Sequence, residues 1–206
     1  MANIILTTVK LIFAVLIFPL VIASTKSFVD HAADFPPEFQ DFFVWGILTF
    51  LLIFLFFYQF WGVYEFGQRI ISGVFKFIAP FDRYAVQIIP FYFILVMLLF
   101  YVETAFFKTH NFDHYFLYFA GFTIAMHILL AARDLQEQEK TAIKPTYLFW
   151  MGVIYIVNLC LIVLFLDLNS GDFTFPEYFR SMSDQAWTIY SYCGEKLSLF
   201  LLKMWK

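Results

Sequence analysis

The chain has 206 residues, of which 62% are hydrophobic and 14% are charged, and its formal net charge is −3. Soluble domains contain about 45–50% apolar and about 25% charged residues, so this composition excludes an ordinary soluble fold. No basic face is visible, which excludes nucleic acid as a partner. Cys160 and Cys193 lack the spacing of a disulfide framework or a zinc ribbon, so we expect two free thiols.

Five apolar runs are long enough to cross about 30 Å of membrane hydrocarbon, which takes roughly 20 helical residues. The runs do not alternate apolar and polar residues as the strands of a membrane barrel do. They therefore predict an all-α integral membrane protein, a bundle of about five transmembrane helices. The predicted spans are 4–24, 42–64, 84–102, 115–132 and 146–166.

The first two spans flank an acidic loop. Span 4–24 carries one charge, Lys10, whose flexible stem can bring its ammonium group to the membrane interface. This stretch resembles a signal peptide, and we interpret it as the first membrane helix. Span 42–64 contains no charged residue, and the loop before it contains four acids: Asp30, Asp34, Glu38 and Asp41.

A short amphipathic segment separates the second span from the third. Residues 65–83 combine an apolar face with basic residues, which predicts a short helix at the cytoplasmic interface. This helix is expected to end before Pro80, because the residue before a proline disfavours helix. Pro90 is expected to kink the span 84–102.

The chain after the fifth span has a different character. Residues 167–206 repeat apolar side chains at three- and four-residue spacing, which predicts an amphipathic C-terminal helix. Glu195 and Lys196 interrupt its one long apolar stretch, so we do not predict a sixth span. The predicted organisation is a five-span domain, 1–166, followed by this amphipathic tail.

Basic residues decide the predicted orientation, because lysine and arginine collect in short cytoplasmic loops. Seven lie on the side that holds the N-terminus and the loops after the second and fourth spans, against two on the other side. We predict a cell (inner) membrane protein with a cytoplasmic N-terminus. Five spans place the C-terminus outside, whereas the basic residues of the tail favour the cytoplasm: Arg180, Lys196, Lys203 and Lys206.

Histidines and carboxylates gather on the predicted outer side. Both residue types bind zinc, copper or iron. His110 and His114 are four residues apart and would share one face of a helix. The candidate metal ligands are His31, Glu103, His110, Asp113 and His114. The alternative is that these side chains bond to water, lipid headgroups or a partner.

His127 lies inside the fourth span, where a polar residue is a functional hypothesis by default. It could bind haem or relay a proton, but bis-histidine haem would need a second buried histidine from another subunit. The alternative is a hydrogen bond between helices, to Asn158 or Gln59. Metal and haem are thus candidates, and no cofactor is predicted outright.

The sequence contains no nucleotide-binding glycine loop and no hydrolase or zinc-protease motif, so no catalytic residue is predicted. Three functions are compatible with it. The first is a structural or partner-binding subunit of a larger membrane complex, in contact with lipid and with other subunits or copies of itself. The second is a homo-oligomeric transporter or channel component. The third is a metal- or haem-dependent membrane redox subunit.

Overall fold

The computed structural model describes residues 2–57, 60–78, 82–107, 112–139 and 144–204. Within these ranges the chain forms eight α-helices and a short 3₁₀ turn. The helices are α1 Ala2–Ala32, α2 Pro37–Phe57, α3 Trp61–Phe75, α4 Asp82–Ile88, α5 Phe91–Phe107, α6 Asp113–Gln138, α7 Pro145–Ser170 and α8 Phe175–Met204. The all-α fold predicted from the sequence is confirmed.

Four helices are long and apolar enough to cross a membrane. They lie at Thr7–Ala32, Pro37–Phe57, Asp113–Gln138 and Pro145–Ser170. Large apolar side chains also cover their outward faces, and Leu55 of α2 is 79% exposed. Helices that are apolar all round are typical of a lipid environment. The chain is therefore a multi-pass α-helical membrane protein in contact with the bilayer.

The predicted span 84–102 is two helices instead of one. α4 ends at Ile88 and α5 begins at Phe91, with Pro90 between them. Proline has no N–H to donate and its ring clashes with the preceding turn, so a break replaces the expected kink. α5 has 17 residues, and at 1.5 Å per residue it is only about 25 Å long.

The predicted span 42–64 also divides. α2 ends at Phe57, and a separate helix, α3, begins at Trp61. Because the run is apolar throughout, its hydropathy does not show where one helix ends and the next begins. The short helix expected within 65–83 is the larger part of α3, which packs on the bundle through Tyr64, Gly67 and Ile71.

Contacts at both ends show that α1 and α7 run parallel. Lys10 Nζ donates to Thr146 Oγ1 at 3.3 Å near one end. His31 Nε2 lies 4.0 Å from Asp167 Oδ1 near the other. We call these ends of the bundle the Lys10 end (Lys10, Thr146) and the His31 end (His31, Asp167).

α2 and α6 run parallel to each other and opposite to α1. Both begin at the His31 end, where Asp113 at the start of α6 lines a cavity. Phe42 stacks on His114 with 4.6 Å between the ring centroids, and two turns further along both helices Phe50 meets Phe122 at 5.2 Å. Of the four long apolar helices, α1 and α7 therefore run in one direction and α2 and α6 in the other.

Two glycines let α2 and α6 touch backbone to backbone. A Cβ atom at Gly46 would lie 1.9 Å from the Tyr118 carbonyl oxygen, and one at Gly121 would lie 2.0 Å from the Phe43 carbonyl oxygen. Small residues permit such close approach between membrane helices. No GxxxG pattern marks the contact, because each helix contributes a single glycine.

Phenylalanine rings join α5, α6 and α7. Phe165 meets Phe93 and Phe100 edge-to-face, with ring centroids 5.7 Å and 5.6 Å apart, and Phe100 meets Phe116 at 5.4 Å. Such pairs contribute about 0.5–1.5 kcal/mol each beyond the burial of their area. The many phenylalanines thus pack the interior as well as cover the outer surface.

α8, the amphipathic helix expected in the tail, runs back along α1 in the opposite direction. Thr174, just before α8, contacts His31, and further along Tyr190 donates a hydrogen bond to the Leu16 carbonyl oxygen. Between these points the apolar contact is formed by Ala23, Met182 and Ala186. Residues 191–204 of α8 are exposed along their whole length.

Replacing Tyr178 by phenylalanine is expected to weaken the contact between α1 and α8. The Tyr178 hydroxyl and the Ser24 hydroxyl lie 2.7 Å apart in a buried position, and losing a hydrogen bond costs about 1 kcal/mol. The free energy of unfolding in mixed micelles, followed by tryptophan fluorescence, measures the loss. Tyr192→Phe is the control, since Tyr192 is 60% exposed on the same helix, and an equal loss there would contradict the assignment.

Candidate functional site

A partly open cavity of about 640 Å³ lies at the His31 end, between the ends of the long helices and the start of α8. Carboxylates, an amide and an aromatic ring face it: Asp34, Phe35, Asp113, Asn169, Asp172 and Glu177. His31 also lines it. Two of the sequence-predicted site residues, His31 and Asp113, are thus brought to one place.

His31 is held by a hydrogen-bond chain behind this cavity. Thr174 Oγ1 donates to Asp167 Oδ1 at 2.5 Å and lies 2.9 Å from His31 Nε2. Because the threonine hydroxyl has one proton and gives it to the carboxylate, it must accept from His31, so Nε2 carries the ring proton. The chain links α1, α7 and the start of α8, and the side chains of His31 and Asp167 in it are only 10% and 3% exposed.

Asp167 caps the start of α8. Its Oδ2 accepts hydrogen bonds from the backbone N–H groups of Thr174 at 2.9 Å and Phe175 at 2.8 Å. Gly171, with φ of 78°, ends α7 in the left-handed conformation and reverses the chain. The carboxylate satisfies helix donors that would otherwise have no partner, so Asp167 has a structural role.

Asn169 is buried at the edge of the cavity. It is 8% exposed, and within the described part of the chain neither its Nδ2 nor its Oδ1 has a hydrogen-bond partner. Buried polar atoms are paired in the great majority of cases, and an unpaired one costs about 1–3 kcal/mol. Asn169 therefore holds an unsatisfied donor and an unsatisfied acceptor at the edge of the cavity.

The other sequence-predicted metal ligands lie elsewhere. His114 stacks on Phe42, and Glu103 sits on α5 and is not among the residues that line the cavity. His110 lies outside the described residues. Within the described ranges no group of three or more His, Cys, Asp or Glu side chains is placed to hold a metal ion. A site that includes His110 stays a prediction.

His127 is buried beside the break between α4 and α5. Its ring interacts with the backbone of Gln87 and Ile88, where Pro90 interrupts the helix. Asn158, the partner expected from the sequence, instead donates to the Ile154 carbonyl at 2.6 Å, and Gln59 lies outside the described residues. The space beside His127 is about 10 Å³, enough for one water, and haem binding at His127 stays a prediction.

A second polar cavity, of about 750 Å³, opens at the Lys10 end between α3, α4 and α6. It contains charges of both signs, including Glu65, Arg69 and Asp134. Glu65 and Arg69 pair at 3.6 Å, and Gln87 donates to Asp134 at 3.1 Å. Because the charges in this cavity largely compensate one another, it has no clear preference for an anion or a cation.

Sequence reasoning missed the residues that shape the cavity at the His31 end. The pattern from Thr174 to Glu177, Thr-Phe-Pro-Glu, is a helix start signal, and Gly171 is a typical helix end. Together they could have predicted a tight turn between α7 and α8. Nothing in the sequence indicates that Asp167 lies beside His31 or that Asn169 lines the same cavity. No family model, curated protein or solved structure matches this chain.

Proposed function

We propose that the chain is a partner-binding subunit of a larger complex in the cell (inner) membrane, and that α8 forms the contact. In this arrangement α1, α2, α5, α6 and α7 make the five crossings expected from the sequence. The Lys10 end faces the cytoplasm, where the basic loops collect. α8 returns beside α1 towards that same side, which differs from the outside position expected for the tail.

The observation that carries the proposal is a polar face on α8 that the described chain leaves uncovered. Its members are exposed and recur at three- or four-residue spacing: Arg180, Asp184, Thr188, Ser191 and Glu195. The opposite face packs on α1 through Met182 and Ala186. Met182 and Ala186 are therefore already covered by α1, whereas the polar face is open to a partner.

The depth of this polar face makes it costly in lipid. Met182 and Ala186 pack on Ala23, nine residues before the end of α1 at Ala32, which is about 13 Å along the helix. Asp184 lies between them in sequence, so it sits beside the end of the apolar run 4–24, at the border of a hydrocarbon layer about 30 Å thick. From Asp184 the polar face continues beside that run towards the Lys10 end, and polar side chains that face hydrocarbon lose their hydrogen bonds to water, which favours burial against a partner.

A photo-cross-linking residue in place of Asp184 tests the proposal in native membranes. We expect it to capture a different membrane polypeptide, identified by mass spectrometry. The matched control is the same residue at Trp45, which is 61% exposed on α2 at a similar distance from the His31 end. We expect only lipid adducts there. Lipid adducts alone at both positions would contradict the proposal.

A second function is favoured by the same face. In a homo-oligomeric channel or transporter component, the polar stripe of α8 would line an aqueous path between copies of the chain. Cross-links from position 184 to a second copy alone would favour this function. Ion or solute flux in liposomes containing only this chain would then be expected, and its absence would count against the channel.

A further inference from the structure

We propose that the cavity at the His31 end binds a small organic cation that carries one or two ammonium groups. The inference is independent of the partner assigned to α8. It rests on the charge of the cavity wall, on an unsatisfied buried amide and on the shape of the space.

The wall is strongly acidic. Four carboxylates from four different segments face the cavity: Asp34, Asp113, Asp172 and Glu177. None of the described lining residues is a lysine or an arginine. His31 lines it too, but its Nε2 is already engaged with Thr174. Carboxylates gathered around a concave space focus a negative potential and attract cations.

The positive end of α8 does not cancel this potential. The first N–H groups of α8 point at the buried Asp167, which accepts from Thr174 and Phe175. Asp167 thereby neutralises the helix terminus, and its oxygens are occupied. The exposed carboxylates of the wall, Asp34, Asp172 and Glu177, are left to act on a ligand.

Asn169 supplies an observation independent of charge. It is 8% exposed and lines the cavity, and both polar atoms of its side chain lack a partner within the described ranges. An ammonium group has donors and no acceptor, so it would satisfy the amide oxygen. A buried acceptor of this kind also gives directional selectivity that surface carboxylates lack.

The dimensions favour an organic ligand over a bare metal ion. The volume of about 640 Å³ lies within the range of about 300–1,000 Å³ that is usual for small-molecule sites. Part of the wall is apolar, formed by Phe35, Pro36 and Phe39. Aromatic rings attract ammonium groups through cation–π contacts. The described carboxylates and histidines, by contrast, do not cluster as metal ligands.

Isothermal titration calorimetry of the full chain in nanodiscs of uncharged lipid tests the inference. The probes are putrescine and tetramethylammonium, with Ca²⁺ and Mg²⁺ as inorganic comparators. We expect saturable binding of at least one organic cation at one site per chain, and weaker binding of both metal ions. Absence of saturable organic-cation binding, or tighter binding of either metal, would overturn the proposal.

Variants separate a built site from general surface charge. Asp172→Asn and Glu177→Gln remove charges from the wall and are expected to weaken binding about tenfold each. Glu38→Gln and Asp41→Asn remove the same charge from exposed positions at the start of α2, which also lies at the His31 end. These two variants are expected to change the affinity less than about twofold. Equal losses in the two sets would overturn the proposal.

Asn169 gives a test in both directions. Asn169→Leu removes the buried acceptor and is expected to weaken organic-cation binding about tenfold. Asn169→Asp keeps the size and adds a charge, so it is expected to tighten binding. If the leucine variant does not fold, the aspartate variant decides alone: unchanged or weaker affinity would contradict the role of Asn169.

Discussion

Gly46→Ala and Gly121→Ala are each expected to disrupt the contact between α2 and α6. The new Cβ atoms would lie 1.9 Å from the Tyr118 carbonyl oxygen and 2.0 Å from the Phe43 carbonyl oxygen. These neighbours are backbone atoms inside helices, so neither can move aside as a flexible side chain could. We expect the free energy of unfolding to fall by at least about 3 kcal/mol for each variant, which is the upper end of ordinary overpacking costs.

The control for these variants uses glycines without close neighbours. An added Cβ at Gly62 or Gly73 meets no atom within 4 Å. In a helix, alanine is favoured over glycine by about 0.8–1.0 kcal/mol, so Gly62→Ala and Gly73→Ala are expected to be neutral or stabilising. Unfolding in mixed micelles, followed by tryptophan fluorescence, therefore gives opposite signs for the two pairs. The same sign for both would contradict the close approach of α2 and α6.

Asp167→Ala is expected to release the start of α8 from the bundle. The substitution leaves the backbone N–H groups of Thr174 and Phe175 without their acceptor, and it removes the anchor of the Thr174 hydroxyl. Loss of a helix cap costs about 0.5–2 kcal/mol, and buried unpaired donors add to it. We expect the free energy of unfolding to fall by about 2–4 kcal/mol in total. We also expect faster hydrogen exchange in the first turns of α8.

Two variants show whether the cap causes this effect. Asp167→Asn keeps an oxygen that can accept from both N–H groups and is expected to lose less than half as much stability. Asp172→Ala removes an exposed carboxylate from the same turn and is expected to leave hydrogen exchange in α8 unchanged. If Asp172→Ala and Asp167→Ala accelerate exchange equally, Asp167 is not the cap that holds α8.

The predicted fourth and fifth spans show what hydropathy can locate. Residues 115–132 and 146–166 lie inside α6, Asp113–Gln138, and α7, Pro145–Ser170. The helices are longer than the predicted spans, because polar residues at their ends continue the backbone hydrogen bonds outside the hydrocarbon. Apolar length therefore identifies the membrane-crossing segment but underestimates the helix.

The cavity at the His31 end shows where sequence reasoning stops. His31 and Asp113 were predicted as site residues from their chemistry, whereas Asn169 and Asp172 were not. Asn169 is 138 residues from His31 in the chain, and no periodic pattern connects them. The two line one cavity because α1 and α7 run parallel, and that packing depends on side-chain contacts along both helices.

Composition and hydropathy are enough to predict an all-α, multi-pass membrane protein, because the apolar content and length of each run show which helices can lie in lipid. Which helices touch, and what lies between them, depends on the packing of the folded chain. The contact at Gly46 and Gly121, the return of α8 along α1 and the cavity at the His31 end all depend on packing. Packing brings together residues that are distant in the chain, so composition and periodicity do not predict these contacts.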